Sequence, residues 1–179
     1  MAAYTTIDNP ELYFACKLYT GNGSDDHAIT FDQTDTSMQP DMVWMKSRSQ
    51  NGYNHTIVDS VRGPTKVVRP LITDEDTYSD AFKSFDSNGF TLDDDASNSE
   101  MNQNTETYVA WAWKAGTSFS NDASATSVGN TDSSGSASST AGFSISTYTG
   151  AGSSLDIVVK HGLSVKPAVM WTKNREDNN

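Results

Sequence analysis

The sequence predicts an all-β fold, a sandwich or a barrel, and three observations support that prediction. Short apolar and β-branched runs at about 14–20, 27–32, 42–47 and 54–59 are separated by clusters of Gly, Asn, Asp and Ser. This spacing is typical of short antiparallel strands joined by turns. Helical periodicity is absent from the same stretch, and one strand pattern occurs twice along the chain.

The repeated pattern is Pro-x-x-x-Trp-x-Lys-x-Arg, which occurs at Pro40–Arg48 and again at Pro167–Arg175. The residues between these fixed positions are mostly apolar or β-branched. Proline donates no backbone hydrogen bond and is tolerated at the first position of a strand. Each copy therefore predicts a strand with a defined start.

The repeat extends upstream of both motifs. Phe14–Gly23 aligns with Phe143–Gly152 at an offset of 129 residues, whereas the proline motifs are offset by 127 residues. Two residues are thus lost in the intervening turn. A unit this long exceeds the roughly 20–50 residues of solenoid repeats, so the pattern predicts tandem copies of a whole domain.

The first copy contains further recognisable elements. Thr73–Lys83 predicts a short helix, with a threonine N-cap and acidic residues in the first turn. Lys83–Leu92 predicts a hairpin, because Asn88-Gly89 tolerates the positive φ angles of a tight turn. Alternating side chains over Thr105–Lys114 predict a central strand. Together these elements predict one β-sandwich domain over residues 14–114.

Residues 115–142 shift to Ser, Thr, Ala, Gly, Asn and Asp. So few apolar groups do not offset the entropy of ordering a chain, so we expect a flexible Ser/Gly-rich linker. An extended strand lying on a neighbour is the alternative. Residues 143–179 then predict three strands of a partial second repeat, which would leave one sandwich face bare. We favour continuation of the polypeptide past Asn179, over completion of a sheet in the first domain or in another subunit.

Composition limits the classes of partner. The sequence contains 12 basic and 23 acidic residues, which gives a net charge of −11. This charge argues against binding to nucleic acid or to an anionic membrane surface. The N-terminus has no signal-peptide pattern, and no stretch approaches the roughly 18 apolar residues of a membrane span. We therefore expect a soluble protein made in the cytoplasm.

Cys16 is the one cysteine of the sequence, so an intrachain disulfide cannot form. It lies in an alternating run with Phe14 and Leu18, and its counterpart in the second copy is Ile145. We therefore expect Cys16 to pack in the core as a small apolar side chain.

Five motifs in order carry a resemblance to a known family. They are Tyr19–Gly23, Pro40–Arg48, Asp59–Gly63, Ser84–Leu92 and Tyr108–Gly116. The chain resembles a repeat found in structural and tail-fibre proteins of tailed bacteriophages, especially marine phages and cyanophages. The resemblance implies an antiparallel β-sandwich, lectin-like and of the concanavalin-like, jelly-roll-like or SPRY-like kind. It also implies a place in a virion appendage and a role in host attachment, with no catalytic residue and no cofactor.

The N-terminal arm, residues 1–13, is similar to the start of such virion proteins. We expect it to dock the domain to the particle through Tyr4, Ile7, Leu12 and Tyr13. The resemblance implies other virion proteins of the tail or capsid as partners, and a homo-oligomer such as a trimer. It also implies a host-surface glycan as a ligand, and location in the virion after synthesis in the host cytoplasm.

The sequence contains no recognisable catalytic pattern. A concanavalin-type glycosidase uses an alternating Glu-x-Asp-x-Glu run, which sets two carboxylates about 5 Å apart, and the sequence has none. His27, His55 and His161 lack the spacing of zinc ligands, so we expect them to face solvent or to bond locally. No Gly-x-Ser-x-Gly elbow occurs. We predict that the protein is not an enzyme.

One acidic run is a candidate for metal binding. Asp93, Asp94 and Asp95 with Asn98 offer oxygen ligands suited to calcium. The run lacks the glycine and the terminal glutamate of an EF-hand loop. A solvated acidic turn is therefore the preferred interpretation, and no metal is predicted.

The tryptophans and one ion pair complete the set of candidates. Trp44 and Trp171 recur at equivalent positions, which favours a scaffold role over stacking on sugars. We expect core packing for all four tryptophans, Trp44, Trp111, Trp113 and Trp171. Asp59 and Arg62 predict a local salt bridge that pins the turn before Gly63.

Three functional hypotheses follow. The favoured one is a virion structural protein, a tail-fibre, appendage or capsid-attached module docked through its N-terminal arm. The second is a carbohydrate-binding, lectin-like module with specificity carried by loops. The third is a polysaccharide depolymerase, which is the weakest because the sequence lacks the expected pair of carboxylates.

Overall fold

The computed structural model of the chain describes residues 7–71, 75–97, 99–150, 152 and 156–176. Its contacts divide the chain into two compact units. The large unit holds Asn9–Lys114 with the residues from Trp171 onward, and the small unit holds Ala115–Met170 with the residues up to Asp8. Both units consist of antiparallel sheets, which confirms the prediction of an all-β fold. In the described part of the chain no helix is long and apolar enough to cross a membrane.

The large unit contains nine strands in its described residues. They are β1 (Phe14–Thr20), β2 (His27–Thr30), β3 (Met42–Ser47), β4 (Thr56–Asp59), β5 (Gly63–Val68), β6 (Asp76–Thr77), β7 (Phe82–Asp86), β8 (Gly89–Leu92) and β9 (Thr107–Trp113). Six of them form one sheet in the order β1-β9-β3-β4-β5-β6, and three form another in the order β2-β8-β7.

Side chains from both sheets of the large unit form one core. Val43 and Met45 on β3 are fully buried, and so are Phe90 and Leu92 on β8. A core shared by two antiparallel sheets gives the large unit a sandwich-like arrangement. The strands predicted near 14–20, 27–32, 42–47, 54–59 and 105–114 are all present, with shorter ends at three of them.

The β7–β8 hairpin confirms the turn predicted at Asn88-Gly89. Gly89 has a φ of +136°, and a Cβ there would lie 2.1 Å from the carbonyl oxygen of Ile29. Asn88 also stabilises this turn, because its backbone carbonyl accepts a hydrogen bond from the N–H of Phe31 at 3.2 Å. Glycine is therefore required by both the turn and the close approach of β2.

The helix predicted over Thr73–Lys83 is wrong for the residues that the structure describes, 75–83. Asp76–Thr77 pairs with β5 instead, and β7 begins at Phe82. Phe82 is 1% exposed and belongs to the core. Pairing with β5 and burial of Phe82 outweigh the local preference for a capped helical turn.

The small unit shows that the predicted linker is wrong for much of residues 115–142. Its strands are β10 (Thr117–Asn121), β11 (Ser133–Ser138) and β12 (Phe143–Tyr148), in the order β10-β11-β12, with one helical turn, α1 (Ala123–Thr126). The central strand β11 is made of Ser, Gly and Ala. Its backbone pairs on both sides, and Gly135 leaves room for Phe119 from β10. The strand β11 has few apolar side chains of its own, so it is stabilised by backbone hydrogen bonds to β10 and β12 and by the apolar ring of Phe119.

Of the strands predicted for the second repeat, the described residues contain the first, β12, at the position that aligns with β1. The three-strand prediction for residues 143–179 is wrong over the described residues. Lys166–Arg175 forms no strand, although the equivalent Gln39–Arg48 contains β3. In the described residues after β12, Val159 forms an isolated β-bridge to Thr131, which precedes β11. In the described part of the chain, no strand pairs with the motif near Trp171.

Candidate functional site

The outer face of the six-stranded sheet carries a continuous set of apolar and aromatic side chains. Side chains alternate along a strand, so the neighbours of the core residues Ala15, Val43 and Ala112 point away from the core. We define the outer face by nine side chains on four adjacent strands: Phe14, Cys16 and Leu18 on β1, Val109, Trp111 and Trp113 on β9, Met42 and Trp44 on β3, and Ile57 on β4.

Strand register places these side chains in rungs across the sheet. In the central rung Cys16 lies opposite Trp111, Trp111 opposite Trp44, and Trp44 opposite Ile57. The rings of Trp44 and Trp111 are 5.9 Å apart at an angle of 67°. Edge-to-face contacts of this kind pack aromatic rings against each other. They do not present the coplanar rings of a flat sugar-stacking platform.

Trp44 lies at the centre of the outer face. Its indole Nε1–H donates to Nδ1 of His55 at 3.0 Å. Burial, with a smaller contribution from the charge of Lys46, lowers the pKa of His55, which favours the neutral ring that can accept this bond. The ring of Trp171 lies 4.8 Å from that of Trp44, and Trp171 itself is 68% exposed.

The outer face is only partly covered. Trp44, Trp111 and Trp113 are half-buried. At the β1 edge Phe14 is 40% exposed and Leu18 is 56% exposed. The face therefore offers apolar surface that the described residues leave in contact with solvent.

The prediction that the tryptophans pack in the core is wrong, and so is the core placement of Cys16, which is exposed. Small side chains, Ala110 and Ala112, fill the inner side of β9, and Val43 fills the inner side of β3. Both faces of these strands are apolar in the sequence. Alternation therefore separates the two faces without saying which of them points inward.

The predicted Asp59–Arg62 salt bridge is confirmed. Arg62 Nε donates to Asp59 Oδ2 at 2.6 Å, and the backbone N–H groups of Val61 and Arg62 donate to Asp59 Oδ1. Glu75 accepts from Arg62 Nη1 at 3.2 Å and from Arg175 Nη1 at 3.4 Å. The side chains of Asp59, Arg62 and Glu75 are each about nine-tenths buried or more, so the cluster fixes the β4–β5 turn.

A second buried ion cluster surrounds Arg69, which is 6% exposed. Its Nε donates to Glu100 Oε2 at 2.7 Å, and its Nη1 bonds to Asp76. Burial alone would lower the pKa of Arg69, but hydrogen bonds to Tyr78 and Glu100 outweigh it and raise the pKa. Glu100 also accepts from the amide of Asn54 at 2.6 Å. Its carboxylate is thus engaged by an arginine and an amide rather than held ready for proton transfer.

The three histidines each have a hydrogen-bond partner. His27 Nδ1 lies 2.7 Å from Asn102 Oδ1, and His161 Nδ1 accepts from the N–H of Leu163 at 3.2 Å. His55 accepts from Trp44. The bond of His161 is local in the sequence, as expected, whereas His27 and His55 bond to residues 75 and 11 positions away. In the described part of the chain, no group of three or more His, Cys, Asp and Glu side chains is placed to hold a metal.

The acidic run after β8 does not converge on one point. Asp95 Oδ2 accepts from the backbone N–H groups of Met101 and Asn102 at 2.6 and 3.1 Å, and Asp95 is 1% exposed. Asp93 accepts from Lys83 Nζ at 3.0 Å, and Asp94 Oδ1 accepts from Ala96 N–H. Asn98 lies outside the described residues. The preferred interpretation, a solvated acidic turn, is therefore wrong for Asp95, which holds the loop before β9.

Asn102 is an architectural residue that sequence analysis missed. It is fully buried, and its Nδ2 donates to the carbonyls of Asp93 and Ser24 at 2.7 and 3.1 Å. Its Oδ1 accepts from the N–H of Asn22 at 3.0 Å. A Cβ at Gly21 would lie 2.3 Å from the carbonyl of Gln103. Spacing in the sequence gives no sign of this site, because Asn22 and Ser24 lie 80 and 78 residues before Asn102.

The proposed docking arm is described from Ile7 onward, and Tyr4 lies outside the described residues. Pro10–Leu12 forms a single 3-10 turn capped by the side chain of Asn9. The carbonyl of Tyr13 accepts from the N–H of Lys114 at 2.9 Å. Ile7 and Tyr13 are half-buried, whereas Leu12 is 38% exposed. The end of the arm is thus tied to the sheet, with Leu12 facing solvent.

The small unit contains a shallow depression of about 450 Å³. Phe119, Lys160 and the hydroxyl residues Ser138, Ser139 and Thr140 are among its lining residues. Lys160 Nζ lies 5.8 Å from the centre of the Phe119 ring. A Cβ at Gly162 would lie 2.7 Å from Phe119 Cε1, so a glycine is needed beside the ring.

Comparison with known proteins assigns the chain to a family. A family model described as a domain of unknown function (DUF7483) matches residues 9–179. The match includes both copies of the proline motif. No curated protein and no solved structure matches the chain.

Proposed function

The chain belongs to the DUF7483 family, and we propose that it is a bacteriophage virion structural protein. Its role is that of a tail-fibre module, or of a module in another appendage, that contributes to host attachment. The large unit serves as a concanavalin-like antiparallel sandwich. The chain works as a homo-oligomer in contact with other virion proteins of the tail or capsid, and it has no catalytic activity.

One observation carries the proposal: the motifs that resemble phage appendage proteins fall on architectural positions. Tyr19–Gly23 ends β1 and passes closely over the backbone at Gln103. Asp59–Gly63 forms the ion-paired turn between β4 and β5, and Asn88-Gly89 forms the β7–β8 turn. Motif residues that hold the scaffold together support a structural role rather than a catalytic one.

The state of the carboxylates supports the absence of catalysis. Acid–base chemistry needs a group that can exchange a proton with a substrate. Asp59, Glu75 and Glu100 are buried against Arg62 and Arg69 instead. Breaking such buried pairs is costly, so these groups serve stability.

The experiment that tests the proposal examines purified particles of the virus that encodes the chain. We expect mass spectrometry to detect the chain in the particles. Antibodies against the large unit should label a tail or capsid appendage in electron micrographs. A chain that is abundant in the infected-cell lysate but absent from purified particles would contradict the proposal.

The docking arm is tested by incorporation into particles. Leu12→Asp places a charge on the exposed end of the arm, where we expect docking to bury an apolar side chain. Incorporation should fall strongly. Leu71→Asp is the matched control, because Leu71 is 83% exposed in the turn after β5. Equal incorporation of both variants would exclude docking through Leu12.

A second candidate function is carbohydrate binding, which the depression of the small unit favours. An aromatic ring beside several hydroxyl groups and a lysine is a common setting for a sugar ring. We expect glycan-array binding by the full chain to be lost in Lys160→Ala. A chain that binds no glycan, or a variant that binds as well as the parent, would remove this candidate.

A further inference from the structure

The sequence contains three Asn-Gly steps, at Asn22-Gly23, Asn51-Gly52 and Asn88-Gly89. Asparagine is one of the thermolabile residues of proteins. An asparagine before glycine can modify itself, because glycine has no Cβ to hinder its backbone nitrogen and reaches conformations that other residues disfavour. The reaction requires the side-chain amide of the asparagine to turn onto the next backbone nitrogen. Whether a step reacts therefore depends on how the fold holds these two groups.

The step at Asn22-Gly23 is held by hydrogen bonds at both reacting groups. Oδ1 of Asn22 accepts from the N–H of Ser24 at 2.9 Å and from Nδ2 of Asn102 at 3.2 Å. The N–H of Gly23 donates to the backbone carbonyl of Asn102 at 2.8 Å. The fold therefore fixes the amide of Asn22 and engages the proton of the nitrogen that would attack it.

The step at Asn88-Gly89 is held by the sheet. Oδ1 of Asn88 accepts from the N–H of Met38 at 3.3 Å, and its Nδ2 donates to the carbonyl of Phe31 at 3.4 Å. Gly89 begins β8, where it pairs with β7 on one side and with β2 on the other. Reaction here would break both contacts of the Asn88 amide and disturb the backbone at the start of β8.

The step at Asn51-Gly52 lies open in the turn between β3 and β4. Residues 48–52 are all exposed. In the described part of the chain, neither Asn51 nor Gly52 has a hydrogen-bond partner. A Cβ at Gly52 would meet nothing within 4 Å. The amide of Asn51 can therefore approach the nitrogen of Gly52 without breaking a contact.

The turn is anchored on both sides of this open step. The N–H of Gln50 donates to Oγ of Ser47 at 3.0 Å, and Nε2 of Gln50 donates to Oε1 of Glu106 at 2.8 Å. On the other side, Nδ2 of Asn54 donates to Oε1 of Glu100 at 2.6 Å. A chemical change at the open step should therefore leave the sheet intact.

We propose that Asn51 is a site of spontaneous deamidation, and that the fold protects Asn22 and Asn88 from the same reaction. The backbone nitrogen of Gly52 loses its proton to a base and forms a bond to Cγ of Asn51, while the side-chain nitrogen takes up a proton and leaves as ammonia. Water then opens the resulting cyclic imide at either carbonyl, which gives aspartate or isoaspartate. The product adds one negative charge to a chain of net charge −11. Its isoaspartate form also lengthens the backbone by one carbon.

Mass spectrometry of the purified full chain tests the inference, which goes beyond the proposed function because the reaction needs only the chain and water. Deamidation raises the mass by about 1 Da, and peptide fragmentation assigns the gain to one residue. In the folded chain Asn51 should react at least about tenfold faster than Asn22 or Asn88, because each of those steps must first break two or more hydrogen bonds. In guanidinium chloride this protection is lost, so the three steps should react at similar rates.

Two variants separate the open step from the rest of the chain. Gly52→Ala should slow the reaction of Asn51 severalfold, because the added Cβ hinders the approach of the two groups. Its melting temperature should match that of the parent, since the position is open. Asn51→Asp should elute in ion-exchange chromatography with the acidic form that accumulates as the parent ages.

Three outcomes would overturn the inference. One is equal rates at the three steps of the folded chain. Another is the absence of a mass gain at Asn51 over a time in which the denatured chain reacts. The third is an acidic form that accumulates as fast in Gly52→Ala as in the parent.

Discussion

The two copies of the proline motif have similar sequences and different structures. Pro40–Arg48 contains β3, which pairs with β4 on one side and with β9 on the other. Pro167–Arg175 forms no strand, and its apolar residues Val169, Met170 and Trp171 are 85%, 81% and 68% exposed. The difference teaches that the motif does not specify a strand alone. It becomes one where neighbouring strands complete its hydrogen-bond ladder and bury one of its faces.

The largest expected effect comes from a charge at the buried position of the motif. Val43 is fully buried, and its equivalent in the second copy is Met170. Val43→Asp should lower the free energy of unfolding by about 4 kcal/mol or more, because it buries an unpaired carboxylate. Met170→Asp should change it by no more than about 0.5 kcal/mol. Urea unfolding measures both, and similar losses in the two variants would mean that the second copy is folded like the first.

Trp44 and Trp171 give the next comparison. Trp44 is half-buried and bonded to His55, so Trp44→Ala should cost about 2 kcal/mol, less than the loss expected for a fully buried tryptophan. Trp171→Ala should lower the free energy of unfolding by less than about 1 kcal/mol, because most of the ring is already in water. Chemical unfolding curves of the two variants decide the point. A costlier Trp171 variant would show that the second motif supports the sheet.

The glycines at the ends of the matched strands offer a third comparison. A Cβ at Gly21 would lie 2.3 Å from the carbonyl of Gln103, whereas a Cβ at the equivalent Gly150 meets nothing within 4 Å. Gly21→Ala should therefore destabilise by about 1–3 kcal/mol through overpacking. Gly150→Ala should lie within about 0.5 kcal/mol of the parent. Melting temperatures suffice as the readout, and the account fails here if Gly150→Ala is as harmful as Gly21→Ala.

The smallest expected effect is a dependence of stability on pH that comes from His55, the hydrogen-bond partner of Trp44. Burial lowers the pKa of His55 below its ordinary value of 6.5, so the unfolded chain takes up this proton more readily than the folded one. The resulting stability is present above about pH 6.5 and is lost as the pH falls toward the folded pKa. His55→Gln should remove this part of the dependence. Unfolding experiments on the parent chain and on His55→Gln between about pH 7.5 and 5.5 test this prediction. It would be contradicted if the free energy of unfolding changed with pH equally in both proteins.

Local sequence signals predict much of the large unit. Apolar runs bounded by turn residues predict the positions of β1, β3 and β9, and Asn88-Gly89 predicts the β7–β8 turn. Asp59 and Arg62 predict their ion pair, since both partners lie within one turn. These features are visible because the interactions that form them are short in sequence.

The remaining features depend on contacts between distant residues. Asp76–Thr77 is a strand because it pairs with β5, and β11 is a strand because β10 and β12 flank it. The ion pair of Arg69 with Glu100 and the hydrogen bonds of Asn102 to Asn22 and Ser24 join segments far apart in the chain. No local pattern predicts such contacts. The outer face was missed because apolar residues occupy both sides of β3 and β9.

Hydrogen–deuterium exchange of the two motifs tests the central claim most directly. The amides of residues 42–47 lie in β3, which pairs with β9 along its whole length and with β4 over residues 42–45. We expect them to exchange only through large-scale unfolding. The amides of residues 169–174 lie outside any strand and should exchange close to the rates of an unstructured peptide. Comparable protection in the two segments would contradict the claim that neighbouring strands, rather than the motif itself, make β3.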